Sequence, residues 1–377
     1  MDNMISYLKW RGDLTFRKYP MCEADYLVFS QLAYITFDGV VSSSFTPETT
    51  VGKAAINAYK ALKNAPNKLI RHAENMLFLR ELITSPRFCD LPICGYVDIL
   101  NKEKEEQFSA ITILVPDSSD ISDTACVIAF RGTDANVVGW KEDFNMAFSH
   151  TVPAQIDAVR YLEQAAKEYP LNRLFVCGHS KGGNLAVYSA AFCHPDIREH
   201  IVQVRSLDGP GFAEEIIKTP GFQEILDRTS TVVPSSSVVG ILLEHAESFS
   251  VIRSYATEGP FQHDPFTWEI KRDSYVYVEE ITDITKYIDS TISRWLFDMD
   301  SQLREKFING LFKIISETGV EDIREIFSPK NVIIMARALR KLDTDTSKAL
   351  SEAANRFRVS AKKDLPLLVK KLRVRKK

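Results

Sequence analysis

The chain has 377 residues, 45% of them hydrophobic and 26% charged, with a net charge of −3. That length suffices for one large core or two smaller ones, and the composition calls for neither disorder nor residence in a membrane. A charge this close to neutral gives no global reason to expect nucleic acid as a partner, since such proteins usually carry a basic domain or stripe.

The chain begins with a helical pattern. Through about residue 90, EADYLVFSQLAYITF and the run from Lys53 to Leu82 place apolar residues at three- and four-residue spacing. Short β-rich runs follow between 93 and 131, ICGYVDIL, FSAITILV and ACVIAF, separated by the polar connections NKEKEEQ and PDSSDISD. A helix is expected near Gly139 to Phe148. A second, AQIDAVRYLEQAAKEY, must stop before Pro170, whose ring and missing N–H end it. Next come the strand RLFVC, a turn at Ser180 and the helical LAVYSAAFC, the unit from which parallel sheets are built. HIVQVRSLD, a helical insert around Phe212 to Leu226, and strands near Ser230 to Val233 and Phe249 to Tyr255 continue the alternation. Parallel strands with crossover helices are therefore expected to about residue 270. The fold class is α/β: a mostly parallel sheet flanked by helices, with a helical C-terminal extension. We divide the chain into a catalytic domain over 1–275, its first 90 residues mostly helical, and a helical extension over 276–377.

No apolar run approaches the roughly 18 residues of a membrane-spanning helix, and the N-terminus has no apolar leader, so the cytoplasm is the expected compartment. Cys22, Cys89, Cys94, Cys126, Cys177 and Cys193 form no regular framework and read as reduced thiols. Cys89 and Cys94 have no second pair and no nearby histidine, so neither a metal nor any other cofactor is implied. Lys362, Lys363, Lys370, Lys371, Arg373, Arg375, Lys376 and Lys377 face a single opposing Asp364 in the tail. This tail reads as a solvated terminus or as an anchor for anionic lipid or nucleic acid.

The sharpest chemical signal is Gly178-His179-Ser180-Lys181-Gly182-Gly183, directly after an apolar strand and before a helix. That is the setting of the G-x-S-x-G nucleophile elbow, in which a tight turn pushes Ser180 Oγ into a cleft. Gly178 and Gly182 remove side chains that would collide with the neighbouring strand and helix. Acyl transfer also needs two donors aimed at the oxyanion. One is the backbone N–H of Lys181. The other is expected from Thr133, just past ACVIAF and Arg131-Gly132, through its N–H and its hydroxyl. Arg131 reads as an ion-pair partner, Trp140 and Asp143 as packing and loop-pinning residues.

FRGT, then W-x-x-D-F, then GHSKGG follows the order of class 3 lipases of the α/β-hydrolase fold. With the opening YLKWRGDLTF and the late QHDPFTW, the pattern over residues 5 to 275 resembles a bacterial family related to those lipases and long catalogued as a domain of unknown function. The resemblance implies Ser180 as nucleophile and Thr133 as oxyanion residue, with the substrate unassigned.

Seven histidines compete for the general base. In this fold the base comes last in chain order, which disfavours His72 and His150, while His179 lies inside the elbow with its ring expected to point away from Oγ. His194 and His200 sit at the far end of the helix after the elbow. His245 is a competitor. His263, in the loop Gly259 to Phe266 after the last expected strand, is the choice, and Trp268 completes an H-x-x-x-x-W spacing that resembles the lipases. The acid is harder to place: class 3 lipases carry it in a segment that here reads Val232-Val233-Pro234-Ser235-Ser236-Ser237, without a carboxylate. Asp208, at the end of the strand after the nucleophile strand, is the assignment, with Glu244 and a structural Asx turn at Asp208 as the alternatives.

The expected function is a serine hydrolase of carboxylesterase or lipase type, acting on a small-molecule or lipid acyl ester through Ser180, His263 and Asp208. Two rivals stand beside it. An acyltransferase or lipid deacylase would use the insert near Phe212 to Leu226 as a lid, and an inactive pseudo-hydrolase would bind a partner through the C-terminal helices.

Overall fold

A computed structural model of the chain describes residues 2–65, 71–116, 124–146, 151–170, 172–257 and 259–374. His150, the end of the helix expected to reach Phe148, and Arg375 to Lys377 of the basic tail lie outside them. Two compact units result, one of 1–99, 108–132 and 153–280 and one of 100–107, 133–152 and 281–377. The first therefore runs slightly past residue 275, and the second takes in two earlier segments.

In the first unit, helices α1 (Met4–Arg11), α2 (Glu23–Leu32), α3 (Val51–Asn64) and α4 (His72–Thr84) precede the main strands, with only the two-residue β1 (Thr49–Thr50) among them. The chain continues through β2 (Pro92–Asn101), β3 (Glu106–Pro116), β4 (Thr124–Phe130), α5 (Val137–Met146), α6 (Pro153–Glu168), β5 (Leu174–His179) and α7 (Lys181–Phe192). Strands β6 (Ile201–Leu207), β7 (Thr229–Pro234) and β8 (Ser248–Ile252) follow, then the two-residue β9 (Ile270–Lys271), β10 (Ser274–Tyr275) and β11 (Tyr277–Val278). The sheet order is β1-β2-β3-β4-β5-β6-β7-β8-β11.

From β4 to β8 every pairing is parallel, which is the core of an α/β-hydrolase fold. β3 runs antiparallel to β4, so the sheet is not parallel from its start. The reason lies in chain length: a parallel return needs a crossover of a dozen or more residues, and the connection from β3 to β4 is too short for one. At the far edge the strand expected to reach Tyr255 ends at Ile252, and β11 closes the sheet antiparallel to β8.

Both faces of the central strands are covered, so their sequences are continuously apolar instead of alternating. Along β4, Ala125, Val127 and Ala129 enter one core, which also holds Leu27, Val28 and Phe29 of α2. Cys126, Ile128 and Phe130 enter the other, with Ala154, Ala158, Leu162 and Ala165 of α6. β5 divides in the same way, Phe175 and Cys177 to the first core, Leu174 and Val176 to the second. The insert after β6 forms helices Glu214–Ile217 and Pro220–Ile225. Its Phe222 and Ile225 are fully buried in the second core, where Phe212 and Phe222 meet edge to face at 5.2 Å.

A buried ion pair ties the N-terminal helices together. Arg87 Nε and Nη2 donate to Asp25 at 2.9 and 2.5 Å, and its remaining N–H groups reach the carbonyls of Leu14, Tyr19 and Pro20. Asp25 also accepts from Tyr7 Oη at 2.6 Å. Neither charge reaches solvent, and so many donors and acceptors are what makes such a pair tolerable in a core.

The second unit contains helices Asp283–Phe297, Ser301–Ser316, Pro329–Arg340 and Thr344–Val374. Met299, Leu303, Ala349 and Ala353 form one small core, and Ile308, Phe312, Ile315 and Ile326 another that takes in Val137 and Phe144 of α5. Among the described residues no helix is long and apolar enough to cross a membrane.

Candidate active site

The site grows from the turn between β5 and α7. Ser180 adopts φ 61°, ψ −133°, a sparsely populated conformation for a residue with a side chain that costs on the order of 1–3 kcal/mol. The surroundings enforce it: Ser180 N–H donates to Leu207 O at 2.9 Å, and Gly183 N–H to Ser180 O at 2.8 Å. A Cβ on Gly178 would stand 2.1 Å from Gly182 O, and one on Gly182 2.2 Å from Phe130 O, so neither position accepts a side chain while the elbow keeps this shape. Gly132 is equally close, for a Cβ there would lie 2.8 Å from Ser180 Cβ. Lys181 opens α7, at the end of the helix where developing negative charge is favoured.

Asp208 follows the last residue of β6, the strand beside β5, with φ 52°, a conformation that aspartate tolerates better than most residues. Its carboxylate is completely buried. It accepts from His263 Nδ1 at 2.6 Å, Ser237 Oγ at 2.7 Å and Gly240 N–H at 3.1 Å. With Nδ1 donating to a carboxylate, the neutral imidazole keeps Nε2 as its free base. The segment that lacks an acid thus contributes Ser237, a second donor to Asp208 that its serine run did not announce.

His263 ends a 3₁₀ turn over Gly259–His263 that is pinned from several sides. The Gln262 side chain accepts from Ser236 N–H at 2.8 Å, and the fully buried Trp268 indole donates to Gln262 O at 2.9 Å. Arg71 pairs with Asp264 at 2.7 Å. His179 supplies another fastening: its Nε2 lies 2.9 Å from His263 O and its Nδ1 2.9 Å from Tyr34 Oη. A carbonyl only accepts, so Nε2 carries the proton and Tyr34 donates to Nδ1. The two imidazoles lie 4.6 Å apart between centroids, inclined by 33°, which brings His263 against the residue preceding Ser180. Burial, and then repulsion from His263, hold the His179 imidazole well below its ordinary pKa, so it stays neutral. The role of His179 as a clamp was invisible in the sequence, because its partners lie 145 and 84 positions away.

The other candidates fall elsewhere. His245 Nδ1 donates to Glu247 at 2.8 Å, and Thr231 Oγ1 donates to the same carboxylate oxygen. Burial acts to raise the Glu247 pKa, but the bonds from His245 and Thr231 outweigh it and leave it lowered. Glu244 makes a backbone bridge to Phe212. Arg131 forms a two-pronged pair with Asp98 at 3.0 and 2.8 Å, an ion-pair role. Thr133 belongs to the second unit, where its hydroxyl donates to Asp143 at 2.7 Å. In that unit Trp140 Nε1 donates to Asp134 O and pins the loop. Burial pushes the Cys177 thiol, near the elbow, up to about 12, which keeps it protonated and unreactive.

A family model described as Mbeg1-like matches residues 82–313. No match to a curated protein was found. Among solved structures the chain is similar to a fungal lipase at 12% identity, over 69% of this chain and 85% of that one, with a TM-score of 0.38. It is also similar to Lip2 lipase from Yarrowia lipolytica, at 13% identity over 69% and 87% of the two chains and a TM-score of 0.36. A Rhizomucor miehei lipase in complex with its propeptide matches at 16% identity over 54% of this chain and 66% of that one, TM-score 0.33.

Proposed function

The chain belongs to the Mbeg1-like family, and on that footing we propose that this protein is a serine hydrolase that cleaves an ester or related acyl bond through a covalent acyl-enzyme. What supports the reading is the 2.6 Å bond between Asp208, which follows β6, and His263, whose imidazole lies 4.6 Å from that of His179, the residue before Ser180.

In this mechanism Ser180 Oγ attacks the acyl carbon while His263 Nε2 takes its proton, and Asp208 holds the Nδ1 proton and balances the imidazolium charge. The carbonyl oxygen becomes an oxyanion that the Lys181 N–H meets at the start of α7. Collapse expels the alcohol, which leaves with the proton from His263. A water, deprotonated by the same nitrogen, then attacks the acyl-enzyme, and its collapse releases the acid and returns the proton to Ser180. The burial of Phe222 and Ile225 weighs against a lid in the insert, and the Asp208 carboxylate beside His263 supplies the acid whose absence after Val233 favoured an inactive scaffold.

A fluorophosphonate probe tests the assignment. It should label the native protein and not Ser180→Ala. Equal labelling of both would overturn Ser180 as nucleophile, and no labelling or ester turnover by the folded native chain would overturn the hydrolase reading.

A further inference from the structure

We infer that the C-terminal helix Thr344–Val374 carries a docking face for an anionic lipid bilayer, independent of whether the Ser180 site is active. The helix packs inward along one stripe: Ala349, Ala353 and Ser360 are buried, Trp295 Nε1 donates to Ala353 O at 2.9 Å, and Tyr287 Oη donates to Ala361 O at 2.6 Å. At 100° per residue, Arg358, Lys362 and Leu365 fall on the side of the helix opposite that stripe, with Val359 on its flank. All four are exposed, Val359 at 58% and Leu365 at 45%, and Lys363 beside them is exposed too.

This face is cationic and apolar at once, and the sequence that continues it, LLVKKLRVRKK from Leu367 to Lys377, keeps both characters without one acidic residue. Because the chain as a whole carries −3, these cations are segregated against a more acidic remainder. Two chemistries take such a cationic surface, phosphodiester strands and anionic headgroups. Nucleic acid is held by the cations and gains nothing from exposed valine and leucine, whereas a bilayer accepts cations at its phosphates and aliphatic side chains at the acyl boundary. Charge complementarity together with the interleaved aliphatic residues therefore selects the bilayer. Each basic residue near an anionic surface strengthens binding by about fivefold, and the effect fades beyond a Debye length.

The test is co-sedimentation of the full-length chain with phosphatidylcholine vesicles containing phosphatidylglycerol, against pure phosphatidylcholine vesicles, at low and high salt. The native chain should sediment with the anionic vesicles and be released by salt. The triple variant Arg358→Glu, Lys362→Glu, Lys363→Glu should bind about a hundredfold more weakly or worse, from three contacts at about fivefold each. Val359→Ser with Leu365→Ser should weaken binding while leaving its salt dependence in place. Circular dichroism on each variant establishes that the helix persists. Equal binding to neutral vesicles, unchanged binding by the folded charge variant, or retention on duplex DNA without retention on anionic vesicles would each overturn the inference.

Discussion

Asp208→Asn is the substitution that asks most of the proposed mechanism, because it keeps the shape of the side chain and changes one atom's role. The carboxylate is completely buried and accepts three hydrogen bonds, from His263 Nδ1, Ser237 Oγ and Gly240 N–H. In the amide one oxygen becomes NH₂. That group cannot face Gly240, whose backbone N–H is fixed as a donor, so the amide oxygen stays there and the NH₂ turns toward Ser237 and His263. Ser237 can rotate its hydroxyl and accept. His263 must present a bare Nδ1, which moves its proton to Nε2, the nitrogen that has to receive the proton of Ser180. The imidazole then sits in place in the wrong tautomer, and kcat/KM at neutral pH should fall on the order of 10³ to 10⁴-fold, about 4 to 5.5 kcal/mol of transition-state stabilisation. The loss should appear in kcat with little change in KM, since nothing that touches a bound ester has moved. Turnover of a p-nitrophenyl ester, with thermal melting to show that the variant is folded, measures it. A folded Asp208→Asn within about threefold of native kcat/KM would refute the tautomer argument.

Comparing His263→Ala with His245→Ala should separate the two histidines, the first losing turnover by about 10³-fold or more, the second keeping it in the folded fraction while melting earlier because Glu247 loses a buried partner. His179→Gln should flatten the acid limb of the stability curve. The unfolded chain takes up a proton at residue 179 near pH 6.5 whereas the folded protein resists it, so the native contribution is complete above that pH and falls by at most about 1.4 kcal/mol per unit below it. An unchanged slope of melting temperature against pH would contradict this. Arg87→Met leaves Asp25 charged and buried with fewer donors, and urea unfolding should show a loss of about 3 to 5 kcal/mol, with a loss under about 1 kcal/mol contradicting the description of the pair.

What could be read from the chain alone was whatever is written at short range. The apolar run of β4 signals a strand covered on both faces, and the spacing of Gly178 and Gly182 around Ser180 marks an elbow, although only Gly178 is blocked from nearby, by Gly182 O, while Gly182 is blocked by Phe130 O of β4. Chain order in this fold points to His263, and a strand end beside the nucleophile strand to Asp208, and the two are bonded to each other at 2.6 Å. The antiparallel β3–β4 pairing is written in their short connection, whereas closure of the sheet by the two-residue β11 antiparallel to β8 was not legible, since so short a strand leaves no periodicity to read. The supports of the site were equally hidden: Ser237 beneath Asp208, and Tyr34 holding His179 against the His263 carbonyl. Those contacts join residues far apart along the chain, and whether a hydroxyl or an imidazole finds a partner depends on angles and distances that exist only once the sheet has brought its strands side by side.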